Sequence, residues 1–401
     1  MSATTSHPID ELLRTRRLIV CVGPGGVGKT TSSAAMALRA ARMGRRALVL
    51  TIDPAKRLAD ALGLDGLDDE VRRVPGLDAL EPLPGVPAMG SLDAAMLDTK
   101  ASYDALLTRL TDGVSRDRIF ANRAYQAFSR TMARSHAYVA MERLLQVFEE
   151  ERWDLIVLDT PPTRSALDIL DAPERLSRFL DERIVQWFLG GAPGGERSQG
   201  GAARDASDGL GGRAVVKLLG VLVGPEVVQE LVSFFSVLAH LQKGFRERAA
   251  RTTRLLESPA TAFVLTAAPM PSGLADAANL LEGLRARGVR LSLLLFNRAY
   301  TAEPVLDAGG ESQSIAYEPL RAPGRVDVSS GLPGPLNALA ERLLAVRAAA
   351  HAENQAEAAR MRALQRDAAG APAWLLPRAT RELNRLHDLS ALLERPVPLG
   401  S

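Results

Sequence analysis

Between an apolar run, Leu18 to Val22, and a helix-compatible stretch, Thr30 to Met43, the chain carries Gly23-Pro24-Gly25-Gly26-Val27-Gly28-Lys29-Thr30-Thr31. Glycine, four residues, glycine, lysine and threonine, set between a strand and a helix, is the P-loop pattern. The physics behind it is specific. Glycines let the backbone curl so that successive N–H groups face one anion, and the helix N-terminus adds a positive partial charge. Lys29 is placed to reach terminal phosphates, and the Thr30 hydroxyl to ligate Mg²⁺. Nucleotide binding by Gly23 to Thr31 is therefore the first expectation.

The surrounding pattern predicts a βαβ unit, since Gly44 stops the helix and Ala47 to Ile52 supplies a second buried strand. Short apolar strands recur at Leu155 to Leu158, Ala262 to Thr266 and Leu291 to Phe296, separated by segments that can be helical. That alternation predicts an α/β fold: a doubly wound, mainly parallel sheet flanked by helices. The P-loop is not repeated, so 401 residues fit one large domain with an insertion. We expect an N-terminal extension at 1–16 and a single domain over 17–401. Gly190 to Gly212 reads as a flexible loop, because glycine without apolar anchors cannot offset its ordering entropy. Leu336 to Gln365 has helical spacing, and Trp374-Leu375-Leu376-Pro377 is a short strand or an adenine-side loop before a short terminal helix.

Two strand tips carry carboxylates. Thr51-Ile52-Asp53-Pro54-Ala55 puts Asp53 at the carboxyl end of the second strand, where open α/β sheets gather ligands. Such an aspartate orients or deprotonates an attacking water. A turn aspartate before proline would look the same locally, and the P-loop upstream favours the catalytic reading. Leu155-Ile156-Val157-Leu158-Asp159 is an apolar strand ending in aspartate, the composition of a Walker B segment, and it runs into Thr160-Pro161-Pro162-Thr163 as a switch loop. Asp159 is expected beside Thr30, holding Mg²⁺ through water. Asn297 ends a later strand, and its amide can donate to and accept from an adenine edge at once. A turn-forming asparagine is the alternative.

Charge and cysteine exclude several classes. Forty-nine basic residues against 47 acidic give a net charge of +2, which makes no electrostatic case for nucleic acid. The single cysteine, Cys21, lies in the first apolar run and can build neither a disulfide nor a thiolate cage, so no zinc or metalloid site is expected. Met1 to Arg17 has no apolar signal-peptide core, and no uninterrupted apolar run reaches the ~20 residues of a membrane span. A cytoplasmic location is the expectation, with peripheral membrane association left open.

With these residues in place the chain resembles the ATPase family that contains the arsenite-pump ATPase and the eukaryotic ATPase delivering tail-anchored membrane proteins, and within it the bacterial anion-transporting-ATPase-like paralogues. The stretches that carry the likeness are Cys21 to Thr31, Thr51 to Leu58, Met96-Leu97-Asp98-Thr99-Lys100, Ala140-Met141-Glu142-Arg143-Leu144, Asp159 to Thr163 and Phe296-Asn297-Arg298. Weaker similarity continues at Leu386-His387-Asp388-Leu389.

The resemblance implies a dimeric ATPase that closes face to face around two nucleotides. It makes Asp53 the switch aspartate acting on water, and Asp159 to Thr163 the switch that senses the γ-phosphate. It places a helical client or partner subdomain at about 100–145 and 174–255. The Val, Leu and Phe residues near 176–250 fit an apolar binding surface and a buried helical core equally well. Two departures matter. The family's second P-loop lysine, which reaches the partner's nucleotide, is here Pro24, with neither charge nor N–H. Cys21 alone cannot supply the cysteines that hold arsenite or a zinc-clamped dimer. The expectations are thus ATP/ADP and Mg²⁺, slow hydrolysis, a homodimer or a heterodimer with a lysine-containing paralogue, and no arsenite transport. The heterodimer carries a further alternative, a nucleotide-holding regulatory subunit.

Overall fold

The computed structural model describes residues 8–52, 57–97, 136–162, 167–172, 244, 246–299, 334–378, 385–394 and 396–399. The flexible loop expected at 190–212 and most of the helical subdomain expected at 100–145 and 174–255 lie outside the described residues. The chain divides into two compact units. One comprises Met1–Met96, Trp153–Leu167 and Pro259–Ser401; the other comprises Leu97–Arg152 and Asp168–Ser258.

The first unit is built on a sheet of nine strands among the described residues: β1 Leu18–Val22, β2 Arg46–Thr51, β3 Arg72–Arg73, β4 Ser91–Met96, β5 Leu155–Asp159, β6 Thr261–Ala267, β7 Leu291–Ala299, β8 Ala373–Pro377 and β9 Val397–Pro398. Their order is β3-β4-β2-β5-β1-β6-β7-β8-β9. Only the two short edge strands run antiparallel to their neighbours. Alternate residues of β1 face opposite sides, Ile19 and Cys21 one way and Leu18, Val20 and Val22 the other, yet all five are buried. Burial on both faces explains why the central strands read as continuous apolar runs rather than alternating ones.

Three strands were not legible in the sequence, and β4 shows why. Ser-Leu-Asp-Ala-Ala-Met has little β preference, and an aspartate in its middle argues against a buried strand. Asp93 is nonetheless buried, because the Trp153 Nε1–H donates to it at 2.7 Å and Arg73 lies 2.9 Å away. Its polar needs are met by residues 60 and 20 positions distant in sequence, which local patterning cannot anticipate.

Residues 8–16 belong to this unit. They form helix α1, Pro8–Thr15, with Ile9 and Leu13 fully buried. Helix α2, Lys29–Arg42, follows the P-loop and packs against the sheet through an alanine-rich face. Near its C-terminal end three arginines tie down distant segments. Arg39 donates to both carboxylate oxygens of Asp10, at 2.5 and 2.9 Å, and to the Leu393 carbonyl at 2.9 Å. Arg42 donates to Ser390 at 2.5 Å and to Glu394. Arg45 caps the carbonyls of Leu13, Arg16 and Asp154. Both described ends of the chain are thereby held to the helix that carries the phosphate loop.

The long helix expected near 336–365 spans Gly334–Asp367, with Ala358, Met361 and Leu364 buried near its end. In the second unit the helix His136–Glu149 buries Ala140, Met141 and Leu144, and Glu142 and Glu149 pair with Arg248. No described helix is long and apolar enough to cross a membrane.

Because the Arg39–Asp10 pair is bidentate and about nine-tenths buried, Arg39→Leu should cost about 2–4 kcal/mol. We expect a lower thermal midpoint, and faster hydrogen exchange confined first to residues 8–15 and 386–393. Unchanged exchange at both ends would show that the pair is ornamental.

Candidate functional site

The sheet's parallel register assembles the site. Cys21 of β1 and Thr51 of β2 both lie level with Asp159 of β5, so three strand tips end together beside the loop Gly23–Gly28. That loop is pressed from two directions. A Cβ at Gly23 would sit 2.2 Å from the Thr266 carbonyl oxygen on β6, and one at Gly28 would sit 2.1 Å from the Asn297 amide nitrogen on β7. Gly28 also takes φ 90°, a left-handed conformation that side-chain-bearing residues rarely adopt.

Gly28 is the N-cap of α2 and offers no side-chain cap. Its carbonyl accepts the first intrahelical bond, from Ser32 N–H at 2.9 Å. A helix start without a side-chain cap has main-chain donors available to an anion. Lys29 is buried, and its Nζ donates to the Pro24 carbonyl at 2.8 Å. Pro24 thus anchors the lysine through its carbonyl while contributing neither charge nor N–H. Pro162, in the loop after β5, approaches the other side, 3.6 Å from where a Gly25 Cβ would lie.

Asp159 is 1% exposed. Its Oδ2 accepts from the Thr30 hydroxyl at 2.7 Å and from the Thr51 hydroxyl at 3.1 Å. Thr160 is held beneath β1, donating through its hydroxyl to the Cys21 carbonyl at 2.7 Å. The sequence-selected residues Gly23 to Thr31, Asp159 to Pro162 and Asn297 therefore converge on the carboxyl edge of the sheet. Asp53, Pro54 and Thr163 lie outside the described residues. The chain leading to Asp53 is described as far as Ile52, whose N–H donates to the Asp159 carbonyl at 3.3 Å.

Thr51 is the site residue that sequence reasoning passed over as more than part of a stretch. Its hydroxyl matters only because β2 and β5 pair in this register, and nothing local signals that. Asn297, expected to read a base, donates from Nδ2 to the Val27 carbonyl at 2.9 Å and accepts at Oδ1 from the Arg298 N–H at 2.9 Å.

The donor chemistry fits magnesium. A hydroxyl and a carboxylate oxygen stand together, and hard oxygen ligands few in number suit Mg²⁺, which keeps waters and substrate phosphates in its shell. Among the described residues no group of three His, Cys, Asp or Glu forms a metal cage. Cys21 lies below this site with its thiol pushed up to about 12, chiefly by burial and further by the Asp159 charge, against a hydrogen bond from Ser33 and the charge of Lys29. It is protonated at neutral pH and offers no thiolate.

A glycine-rich loop feeding a helix, with a strand-tip aspartate bonded to the helix's first threonine hydroxyl, defines a P-loop nucleotide-binding protein. Residues 16–187 match the family model described as anion-transporting ATPase. An uncharacterized protein of Streptomyces coelicolor is 30% identical over 294 residues, 73% of this chain and 65% of its own length. A provisionally named arsenical pump-driving ATPase of Prosthecochloris vibrioformis is 33% identical over 168 residues, 40% of this chain and 36% of its own. The ATPase get3 of Aspergillus terreus is 29% identical over 195 residues, 46% of this chain and 54% of its own. Over its P-loop region the chain is similar to the anion-transporting ATPase family. It spans less than two thirds of the length of each of these relatives.

Two outcomes follow from the geometry. Gly28→Ala should weaken binding of magnesium ATP by about tenfold or more, since a methyl group meets both a forbidden φ and the Asn297 amide; calorimetry on the folded variant checks this. The buried thiol favours the folded state fully below its ordinary value of 9.0, and this contribution is lost as the pH rises from there through about 12. Cys21 should accordingly resist maleimide at pH 8 in native protein and react once urea unfolds it. Rapid native labelling would contradict its placement.

Proposed function

We propose that this chain is a Mg²⁺-dependent ATPase that works as a nucleotide-operated dimeric switch, coupling its bound nucleotide to a hydrophobic client or partner protein. The observation that carries the reading is the 2.7 Å bond from Thr30 to Asp159 at the start of the P-loop helix. It brings together the two side chains needed for a phosphate-bound magnesium. The match to the anion-transporting ATPase model supports an ATPase, and the relative named as an arsenical pump-driving ATPase supports a protein that drives a partner.

In this reading the main-chain amides from Gly25 to Thr30 grip the β- and γ-phosphates. Lys29 exchanges the Pro24 carbonyl for phosphate oxygen as its acceptor. Thr30 and Asp159 would hold magnesium, Asp159 through water, and the ion would supply Lewis-acid neutralisation of charge developing on the phosphates. Asp53 orients the attacking water and accepts its proton. Thr160, Pro161, Pro162 and Thr163 move with Asp159 as the γ-phosphate comes and goes. The helical segments at about 100–145 and 174–255 would be the client-facing part, driven by opening and closing of the dimer. A cytoplasmic location accords with this assignment.

Pro24 sets the rate. A cation supplied in trans to phosphoryl transfer is worth about 10³–10⁵-fold, and proline offers none. The isolated chain should therefore hydrolyse ATP slowly in single-turnover assays, with tight binding retained. Fast turnover by the pure chain would refute the role assigned to Pro24. Asp53→Asn should lower the hydrolysis rate by about 10²–10⁴-fold without loss of ATP affinity, and should hold the dimer closed in ATP, read by light scattering and by hydrogen exchange over 176–250. Retained hydrolysis would remove Asp53 from the water step.

Pro24 also favours a second reading, a nucleotide-holding subunit of a heterodimer whose partner is a lysine-containing paralogue. Stimulation of hydrolysis on mixing the two chains distinguishes it from the homodimer. The single cysteine argues against arsenite as cargo, since one buried thiol cannot cage a metalloid.

A further inference from the structure

The backbone at the tip of β5 is held from both sides. Asp159 stands level with Cys21 of β1 and with Thr51 of β2, and the Ile52 N–H donates to its carbonyl at 3.3 Å. The next residue, Thr160, donates through its hydroxyl to the Cys21 carbonyl at 2.7 Å. None of these bonds sets the rotation of the Asp159 carboxylate, because the last torsion of an aspartate is broad and roughly two-fold. Two hydroxyls settle it, and both reach the same oxygen. Thr30 donates to Asp159 Oδ2 at 2.7 Å and Thr51 at 3.1 Å. Thr30 is the hydroxyl assigned to magnesium and rides on the P-loop helix. Thr51 is buried in β2, and its β-branched side chain has little freedom about χ1, so it presents its donor in a fixed direction from the sheet itself.

We propose that Thr51 is a positioning residue of the magnesium site: its hydroxyl, fixed in the β2 ladder, holds the Asp159 carboxylate in the rotation that serves the metal's water shell. Groups that hydrogen-bond a carboxylate at a metal site tune its affinity although they never touch the ion. The order of the chain adds a second consequence. Asp53 lies two residues beyond Thr51, so this bond joins the strand leading to the water-handling aspartate to the strand ending in the metal-holding one. The proposal rests on the reading of Thr30 and Asp159 as magnesium residues.

The test measures ATP affinity calorimetrically with the full chain, once in magnesium and once in EDTA, for wild type, Thr51→Val and Thr51→Ser. Valine keeps the branched shape and removes the hydroxyl. Thr51→Val should lower affinity in magnesium by about tenfold and leave affinity in EDTA unchanged, while Thr51→Ser recovers most of the loss. Equal affinity of Thr51→Val and wild type in magnesium would overturn the proposal. So would an equal loss in magnesium and in EDTA, which would mark the hydroxyl as a support of the fold alone. A wild-type chain that binds ATP in neither condition would instead sink the phosphate-site reading, and one that binds alike in both would sink the magnesium reading. A further arm needs no variant. In wild-type protein carrying methyl-labelled threonine, magnesium added to the ATP-bound chain should shift the Thr51 methyl resonance, and a signal indifferent to magnesium would again overturn the assignment.

Discussion

The pairing of β5 with β1 on one side and β2 on the other is the constraint on which the site depends. It sets Cys21, Asp159 and Thr51 at one level, and so lets a single carboxylate oxygen receive two hydroxyls from two different elements. Charge-assisted hydrogen bonds of this kind are strong and short-ranged. A slip of one residue in β5 would turn Asp159 to the other face of the sheet and leave a buried charge without its donors. Register is in turn enforced by burial on both sheet faces, since every strand residue involved is part of the core.

The phosphate loop is shaped by its neighbours as much as by its own composition. Thr266 on β6 and Asn297 on β7 occupy the space that side chains at Gly23 and Gly28 would need. The glycines are therefore required on two grounds, conformation at Gly28 and close approach at both positions. Pro24 sits within this crowding without disturbing it, because its carbonyl points to Lys29 and its ring asks for no hydrogen bond.

The helix behind the loop has a second task. Arg39, Arg42 and Arg45 gather α1, the segment near 386–394 and the approach to β5 onto the C-terminal end of α2. Their guanidinium groups donate to the main-chain carbonyls of Leu13, Arg16, Asp154 and Leu393, to the Asp10 carboxylate and to the Ser390 hydroxyl. In the sequence these are three arginines at positions 39, 42 and 45 in and just after an alanine-rich stretch. The packing of remote segments makes them an anchoring edge.

The amino-acid sequence by itself determined the α/β class, the βαβ unit with its P-loop and the buried central strands, because these rest on local signals: glycine spacing, apolar runs of strand length, and a helix stop at Gly44. It also named Thr30 and Asp159 as partners, since strand-tip carboxylates gather at one edge of a parallel sheet. It did not reveal β4, whose Asp93 needs Trp153 and Arg73. Nor did it reveal Thr51 as a second donor to Asp159, or the turn of the Asn297 amide into the loop. Each of these depends on strand register and on contacts between residues tens to hundreds of positions apart. Hydrogen bonds of that kind have direction and a reach of about 3 Å, and only the closed tertiary structure decides which atoms come within it.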